Sequence, residues 1–321
     1  MMSEKTDIVY TWCDGSDPEF RRTKNECLKK HNITVDNNTD EKLRYQNNDE
    51  LKYSLRSVEK YAPWANHIYI VTNNQRPEWL KDNDKITIVD HKEIIPADKL
   101  PTFNSVCIEN YLVNIPDLSD HFLYFNDDIF LTKMTKPEDF FVNGKPIVRL
   151  NTITHGHNKY EFSDNSYKVA VLKSYCTVLK KNQIYFPYTV PTHGVDAYSK
   201  EMIIKVNEKY PQIEELNTTC FRTNNYLQRV IYSYEMAYSF GCPLKVYDYK
   251  TTKLQKLLIL LFKKNFYYCV EHQDEFDNLK RSILFIKLFK PLCCCFNNCT
   301  SSELLLHYLK REFPNKSSYE S

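Results

Sequence analysis

The sequence predicts an α/β fold, with a mainly parallel sheet, helices on both faces and a helical C-terminal part. Three observations predict it. Short β-branched and aromatic runs alternate with helix-patterned segments over the first ~130 residues. Acidic turns close three of those runs, at Asp14 to Asp17, at Asp90-His91 and at Asn126 to Asp128. From about residue 196 to 240 the pattern becomes more helical, ending at Gly241-Cys242-Pro243.

The first strand is read over 7–12 (DIVYTW), stopped by Asp14-Gly15-Ser16-Asp17-Pro18. Residues 19–30 are polar and helical in pattern, and 31–40 form an Asn/Asp/Thr-rich loop. Residues 49–61 place Leu51, Leu55 and Val58 on one helical face, and Pro63 follows the end. Strands are expected at 67–72 (HIYIVT), 86–89 (ITIV) and 122–125 (FLYF), with a helix at 104–113 between the last two. Residues ~140–180 mix Gly, Pro and polar residues and read as an inserted loop or lid. Residues ~250–290 are lysine-studded and amphipathic. No internal repeat and no clear domain boundary is visible. In sheets of this kind the working residues lie in loops beyond the carboxyl ends of the strands.

Composition narrows the function. The chain has 321 residues, with 43 Lys+Arg against 41 Asp+Glu, so a net charge of +2 argues against a general nucleic-acid binder. Only 5 glycines are present, and neither GxGxxG nor GxxxxGK[ST] occurs. The aromatic share of 14% excludes a disordered chain. No secretory signal or ~18-residue apolar span is seen, so a cytoplasmic setting is expected, with peripheral membrane contact through Lys253 to Lys264 as a variant. The first seven of eleven cysteines read as small buried hydrophobes, and the odd total favours a reducing compartment. Cys293-Cys294-Cys295 with Cys299 reads as a loop, a reactive or lipid-modifiable patch, or a metal site. Sequons at Asn32, Asn37, Asn217, Asn298 and Asn315 are taken as chance products of an Asn-rich chain.

Several motifs could carry chemistry, and each has a plain structural alternative. Asn126-Asp127-Asp128 after an apolar strand either holds a hard divalent cation or is a capped turn. Asp14-Gly15-Ser16-Asp17 either contacts a ribose or base edge or is an ordinary turn. Arg44, Asn48, Asp49 and Arg56 cluster around a helix start, as a phosphate clamp or a salt-bridged face. His193 sits in a loop and either serves as a general base or is a structural or exposed histidine, and Arg222, a lone cation before a helix, is open to the same two readings. His155 and His157 are weak ligand candidates.

Taken in order, these segments resemble the Stealth family of sugar-phosphate transferases, which includes bacterial capsule polymerases and the N-acetylglucosamine-1-phosphate transferase of lysosomal enzyme tagging. DIVYTWCDGSD (7–17) resembles the first block. The second runs from RYQNNDELKYSLRSVEKYAPWANHIYIVTNNQRPEWL (44–80) through ITIVDHKEIIP (86–96), LPTFNSVCIENYL (100–112) and LSDHFLYFNDDIFL (118–131). PTHGVDAYSKEMI (191–203) and TTCFRTNNYLQ (218–228) resemble the third block, and FYYCVEHQDEFD (266–277) and FPNKSSYE (313–320) more weakly the fourth.

The resemblance implies a Rossmann-like, GT-A-like nucleotide-sugar transferase fold in a single catalytic domain, 1–321. Residues 1–135 would be the nucleotide-sugar-binding half, and 136–321 the acceptor and catalytic half with its helical C-terminus. It implies transfer of sugar-1-phosphate from a UDP-sugar such as UDP-GlcNAc to a glycan or polysaccharide hydroxyl, as in capsule or exopolysaccharide synthesis, with release of UMP. His193 would be the base, Arg222 a phosphate-neutralising cation, and Asp127, Asp128 and Glu271 ligands of Mg²⁺ or Mn²⁺. Trp12, Asp14, Gly15, Asp17, Arg44, Asn48, Arg56 and Asn126 would bind or support the donor, with Asn104, Ser105 and Glu109 near the sugar. The fourth block departs from the family, with Glu271-His272 where relatives carry asparagine-aspartate. That departure keeps an inactive glycan- or nucleotide-binding relative as an alternative, beside an ordinary metal-dependent glycosyltransferase that releases UDP.

Overall fold

Strand β1 (Thr6–Thr11) is apolar on both faces, with Ile8, Val9 and Tyr10 fully buried, so it sits at the centre of the main sheet. The computed structural model describes residues 5–33, 45, 47, 49–152, 166–247, 265–271, 276–297 and 303–321. β1 pairs in parallel with β2 (Ile68–Thr72) on one side and β4 (His121–Asn126) on the other, and β2 pairs in parallel with β3 (Ile86–Asp90). The fifth strand, β10 (Asp196–Ser199), pairs antiparallel with β4, giving the order β10-β4-β1-β2-β3.

Alternation along β1 sends its residues into two cores, which is why helices cover both faces. Ile8 and Tyr10 pack with Leu51, Leu55 and Val58 of α2 (Glu50–Tyr61). Val9 packs in a second core with Cys107 and Tyr111 of α4 (Ser105–Tyr111) and with the core residues of α5 (Ser166–Asn182) and α8 (Val230–Tyr238). Helix α1 (Pro18–Lys30) starts where Asp17 Oδ1 accepts from Phe20 N–H at 2.7 Å, a cap of about 1 kcal/mol. Short α3 (His91–Ile94) is held by a capping box between Asp90 and Glu93. Helices α6 (Lys200–Lys209) and α7 (Gln212–Asn217) follow β10.

In the segment expected to be a loop or lid at ~140–180, the described parts, 140–152 and 166–180, are regular structure, while 153–165 lie outside the described residues. The described parts contain the hairpin β6 (Phe141–Val142) and β7 (Lys145–Pro146), β8 (Val148–Thr152) and α5. β8 is flanked by β9 (Thr189–Pro191) and β11 (Leu244–Tyr247) in a small sheet. The turn residues that suggested a loop, Asn143 and Gly144, sit at positive φ in the hairpin.

The cysteine cluster is also corrected. Cys293, Cys294 and Cys295 lie on β13 (Cys293–Asn297), buried between β12 (Tyr267–Glu271) and β5 (Ile129–Leu131). Three small apolar side chains in a row suit a strand buried on both faces, so these three form no surface patch, while Cys299 lies outside the described residues. Helices α9 (Phe276–Phe289) and α10 (Glu303–Glu312) cover this sheet through Leu279, Ile283, Ile286, Leu305 and Leu309. Not all of the first seven cysteines are free buried thiols. Cys176 is exposed, and Cys27 is disulfide-bonded to Cys220, joining α1 to the chain that leads to Arg222. Phe20, Phe103 and Phe221 pack around this bond.

Among the described residues no helix is long and apolar enough to cross a membrane. The amphipathic stretch Lys253 to Lys264, His155 and His157 lie outside the described residues.

Candidate functional site at the carboxyl ends of β1 and β4

The parallel register places Thr11 of β1 opposite Asn126 of β4, so the loops after both strands leave the sheet side by side. Antiparallel β10 begins at the same end, with Asp196 opposite Tyr124. The turn carrying His193 therefore enters the sheet where Asn126, Asp127 and Asp128 follow β4. Three loops from distant parts of the chain converge at the position expected for open α/β sheets.

Asp127 and Asp128 are held by their neighbours in the chain and the small sheet. Ser54 Oγ donates to Ile129 O at 2.5 Å, and Leu131 N–H donates to Ser57 Oγ at 3.0 Å, so α2 fixes the strand that follows them. Phe296 N–H donates to Asp128 O at 3.1 Å, and Cys295 Sγ donates to Asp128 Oδ2 at 3.3 Å. Asp128 Oδ1 is buried with no hydrogen-bond partner. Burial pushes the Asp128 carboxyl up to about 6, against the Cys295 hydrogen bond and with help from nearby Glu50. Burial raises Asp127 well above the usual range, reinforced by the charges of Asp128 and Glu50. A partnerless buried oxygen among crowded carboxylates fits a hard divalent cation, with Asp127 and Asp128 as the holding pair. Glu271 ends β12, in register with Asn297 of β13, one residue beyond the point where Phe296 meets Asp128. Its side chain lies outside the described part of the structure.

The charge of Arg229 acts on Asp128, and those of Arg229 and Arg222 act on Glu109. Arg222 Nη2 donates to Ser105 Oγ, its guanidinium lies over the Tyr226 ring at 5.5 Å, and its buried Nε has no hydrogen-bond partner. Asn104 is a buried cap of α4, accepting from Val106 N–H at 3.1 Å and donating to Asn217 O at 3.0 Å. It thus ties α4 to the chain before Arg222. Arg229 reaches Asp196 Oδ2 at 2.9 Å and Glu109 Oε1 at 3.4 Å. Burial raises the Glu109 carboxyl, although Arg229 and Arg222 pull it down. Tyr124 OH donates to Glu109 at 3.4 Å and is 2.9 Å from Thr11 Oγ1, so the network reaches the end of β1.

The first loop is built as a rigid turn. Ser16 N–H donates to Asp14 Oδ1 at 2.7 Å and Asn47 Nδ2 to Oδ2 at 3.1 Å. Burial pushes the Asp14 carboxyl up, but these bonds and Arg21 outweigh it and hold it below its usual value. Gly15 is required by close approach, since a Cβ there would lie 2.4 Å from Tyr45 O. Asp17 is engaged as the α1 cap, and Trp12 is buried in the core with Ile8 and Tyr10.

The structure does not bring Arg56 to this site. Its guanidinium is engaged by Glu320 and by Phe313 O, which explains its place in the sequence pattern as an anchor for the C-terminal segment. Arg44 and Asn48 lie outside the described residues. His193 is half-buried, with its ring 5.9 Å from that of Tyr167. Sequence reasoning missed Glu50, Asp196 and Arg229. The signals were present: an acid in the first turn of α2, an acid three residues after His193, and an Arg at the start of α8.

The fold and site define an α/β protein with a buried acidic pair at the carboxyl edge of a mainly parallel sheet and an Arg229–Glu109–Asp196 cluster near it. The family model for Stealth protein conserved region 1 matches residues 4–32, and that for conserved region 2 matches residues 44–148. In these two regions the chain is similar to Stealth proteins, and Asp14, Glu50, Glu109, Asp127 and Asp128 all fall within them.

The chain is 47% identical over 141 residues to the capsular polysaccharide phosphotransferase CpsJ of Streptococcus thermophilus, which is 44% of this chain and 59% of the relative. It is 44% identical over 140 residues to the capsular polysaccharide phosphotransferase LcbA of Neisseria meningitidis, covering 43% of this chain and 38% of that one. The match thus spans less than two thirds of either relative. A solved structure of the galactosyltransferase LgtC, with donor and acceptor sugar analogues, aligns over 96% of this chain and 94% of its own at 11% identity and a TM-score of 0.40. That overlap is too loose to define the fold, which rests on the strand order and register above.

Proposed function

We propose that this chain transfers sugar-1-phosphate from a UDP-sugar, of the UDP-GlcNAc kind, to a hydroxyl of a glycan or polysaccharide. Asp128 carries this reading, with its Oδ1 buried and partnerless beside Asp127 and Glu50 at the carboxyl edge of the sheet. The names of the relatives, capsular polysaccharide phosphotransferases, support it.

In this reading the acceptor oxygen attacks the β-phosphorus of the donor. The bond between that phosphorus and the bridging oxygen to the α-phosphate breaks, UMP leaves, and a phosphodiester forms with the sugar–oxygen bond intact. His193 takes the hydroxyl proton as general base. Arg222, held by Ser105, offsets charge on the diphosphate. Arg229 holds Asp196 and Glu109 in place beneath it. Mg²⁺ or Mn²⁺ held by Asp127 and Asp128, with Glu271 as a further candidate ligand, would supply positive charge at the leaving phosphate. Asp14 and Gly15 form the rigid turn against which the nucleotide would rest.

The expected cytoplasmic setting, at a membrane face or free of it, is tied to the state of Cys27 and Cys220. A persistent disulfide belongs to oxidising compartments and the dithiol to reducing ones. The reaction is tested by incubating the protein with UDP-GlcNAc, Mg²⁺ and a mixed glycan extract, then separating the nucleotides. UMP formed only with metal and acceptor supports the proposal. UDP would show an ordinary glycosyltransferase, and donor binding without either product would favour the inactive relative.

A further inference from the structure

Cys27, His31 and Cys220 bring two sulfurs and an imidazole together, and none of the three belongs to the acidic pair. One ligand atom from each lies within 4.8 Å of the other two. Cys27 and His31 are four residues apart at the end of α1, where His31 N–H donates to Cys27 O at 3.1 Å, so both side chains leave the same face of the helix. Cys220 comes from a segment 193 residues away, fixed by Phe103 N–H donating to Cys220 O at 2.8 Å. Phe20, Phe103 and Phe221 shield this corner, while His31 is exposed.

A disulfide alone has no use for the imidazole. Two thiolates and an imidazole are the donor set that Zn²⁺ prefers. Zn–S near 2.3 Å and Zn–N near 2.0 Å give ligand separations of roughly 3.5–3.8 Å in a tetrahedron, below the 4.8 Å limit within which the three ligand atoms lie, so the two bonded sulfurs need only part on reduction to accept the ion. We propose that, in the dithiol form, Cys27, Cys220 and His31 bind one Zn²⁺, with a water in the fourth position on the exposed His31 side. A dithiol reductant supplies two electrons and two protons to open the sulfur–sulfur bond and is itself oxidised to a disulfide. Zn²⁺ then displaces both thiol protons. The site would fasten α1 to the 218–222 segment, two residues before Arg222, in either redox state. The inference does not rest on the proposed reaction.

The test is zinc binding by the full chain, reduced and held in a phosphine reductant, in competition with a chromogenic chelator. One tight Zn²⁺ per chain is expected, undisturbed by excess Mg²⁺ and kept in Cys176→Ser. Cys27→Ser and Cys220→Ser should abolish it. His31→Ala should weaken it by more than the roughly 10–100-fold that loss of an outer-shell partner costs. No tight zinc, or tight zinc unchanged in the cysteine variants, would overturn the proposal. Should a cysteine variant fail to fold, Co²⁺ added to the reduced wild-type protein decides. A thiolate-to-cobalt absorption band that weakens in His31→Ala supports the site, and its absence from the wild type overturns it.

Discussion

Arg56 and Glu320 form a two-pronged ion pair across 264 residues of sequence, Nε to Oε1 at 2.7 Å and Nη2 to Oε2 at 2.5 Å. Their side chains are only 12% and 2% exposed, and Arg56 also donates to Phe313 O, so the pair anchors the C-terminal segment to α2. Removing one partner leaves a buried charge unmatched. Glu320→Gln is expected to lower stability by about 3 kcal/mol, read by urea unfolding at neutral pH. A change within experimental error would mean the pair is a surface contact of little weight.

The same pair predicts a pH dependence. Burial pushes the Glu320 carboxyl up, but Arg56 and Ser317 outweigh it and hold it below its ordinary 4.5. A depressed carboxyl contributes stability that is fully present above 4.5 and is lost as pH falls through the lower folded value. The melting-temperature gap between wild type and Glu320→Gln should therefore be constant near neutrality and close below about 4.5. A gap that widens in acid would contradict this assignment.

Arg229 predicts coupling. It sits between Glu109 and Asp196, each largely buried. Arg229→Met should cost roughly 3–5 kcal/mol, because both carboxylates lose their cation. Adding Glu109→Gln should recover part of that loss, and a double-mutant cycle reads the coupling. Strict additivity of the two changes would remove Arg229 from the network.

Asp128 predicts a split between activity and stability. Asp128→Asn removes a carboxylate that burial and Glu50 already disfavour. Thermal stability should hold or rise, while turnover should fall by about 10²-fold or more, because the carboxylate that would hold the cation at the leaving phosphate is lost. A variant with unchanged turnover would leave Asp128 as a structural acid.

Gly194 predicts a steric effect next to His193. A Cβ there would lie 2.5 Å from Tyr267 Cδ2 and 3.1 Å from Cys293 Sγ, because β12 and β13 pack against this turn. Gly194→Ala should cost about 1–3 kcal/mol and lower turnover by shifting His193. Equal stability and turnover would show that Tyr267 can give way.

Much of the main sheet was legible because β1, β2, β3 and β4 are apolar runs closed by turn residues, with helix patterns between them. β10 was not, since four residues reading Asp-Ala-Tyr-Ser carry no apolar run, and only pairing with β4 makes them a strand. The three cysteines of β13 misled for a related reason: their chemistry drew attention, while burial on both faces decided their structure. Asp127 and Asp128 were legible from their place after a strand. Arg56 sits in a strong motif but serves the C-terminal segment, and Glu320, its partner, gave no local sign of it. The Cys27–Cys220 contact spans 193 residues, so no spacing could announce it.

The central claim is that the β-phosphate of the donor leaves with the sugar. It is tested most directly with UDP-GlcNAc carrying radioactive phosphorus at the β-position, incubated with the protein, Mg²⁺ and a glycan acceptor. The account predicts label in the glycan fraction, as a phosphodiester, matched mole for mole by unlabelled UMP and lost in Asp128→Asn. Label recovered entirely in free UDP, with unphosphorylated sugar on the glycan, would contradict it.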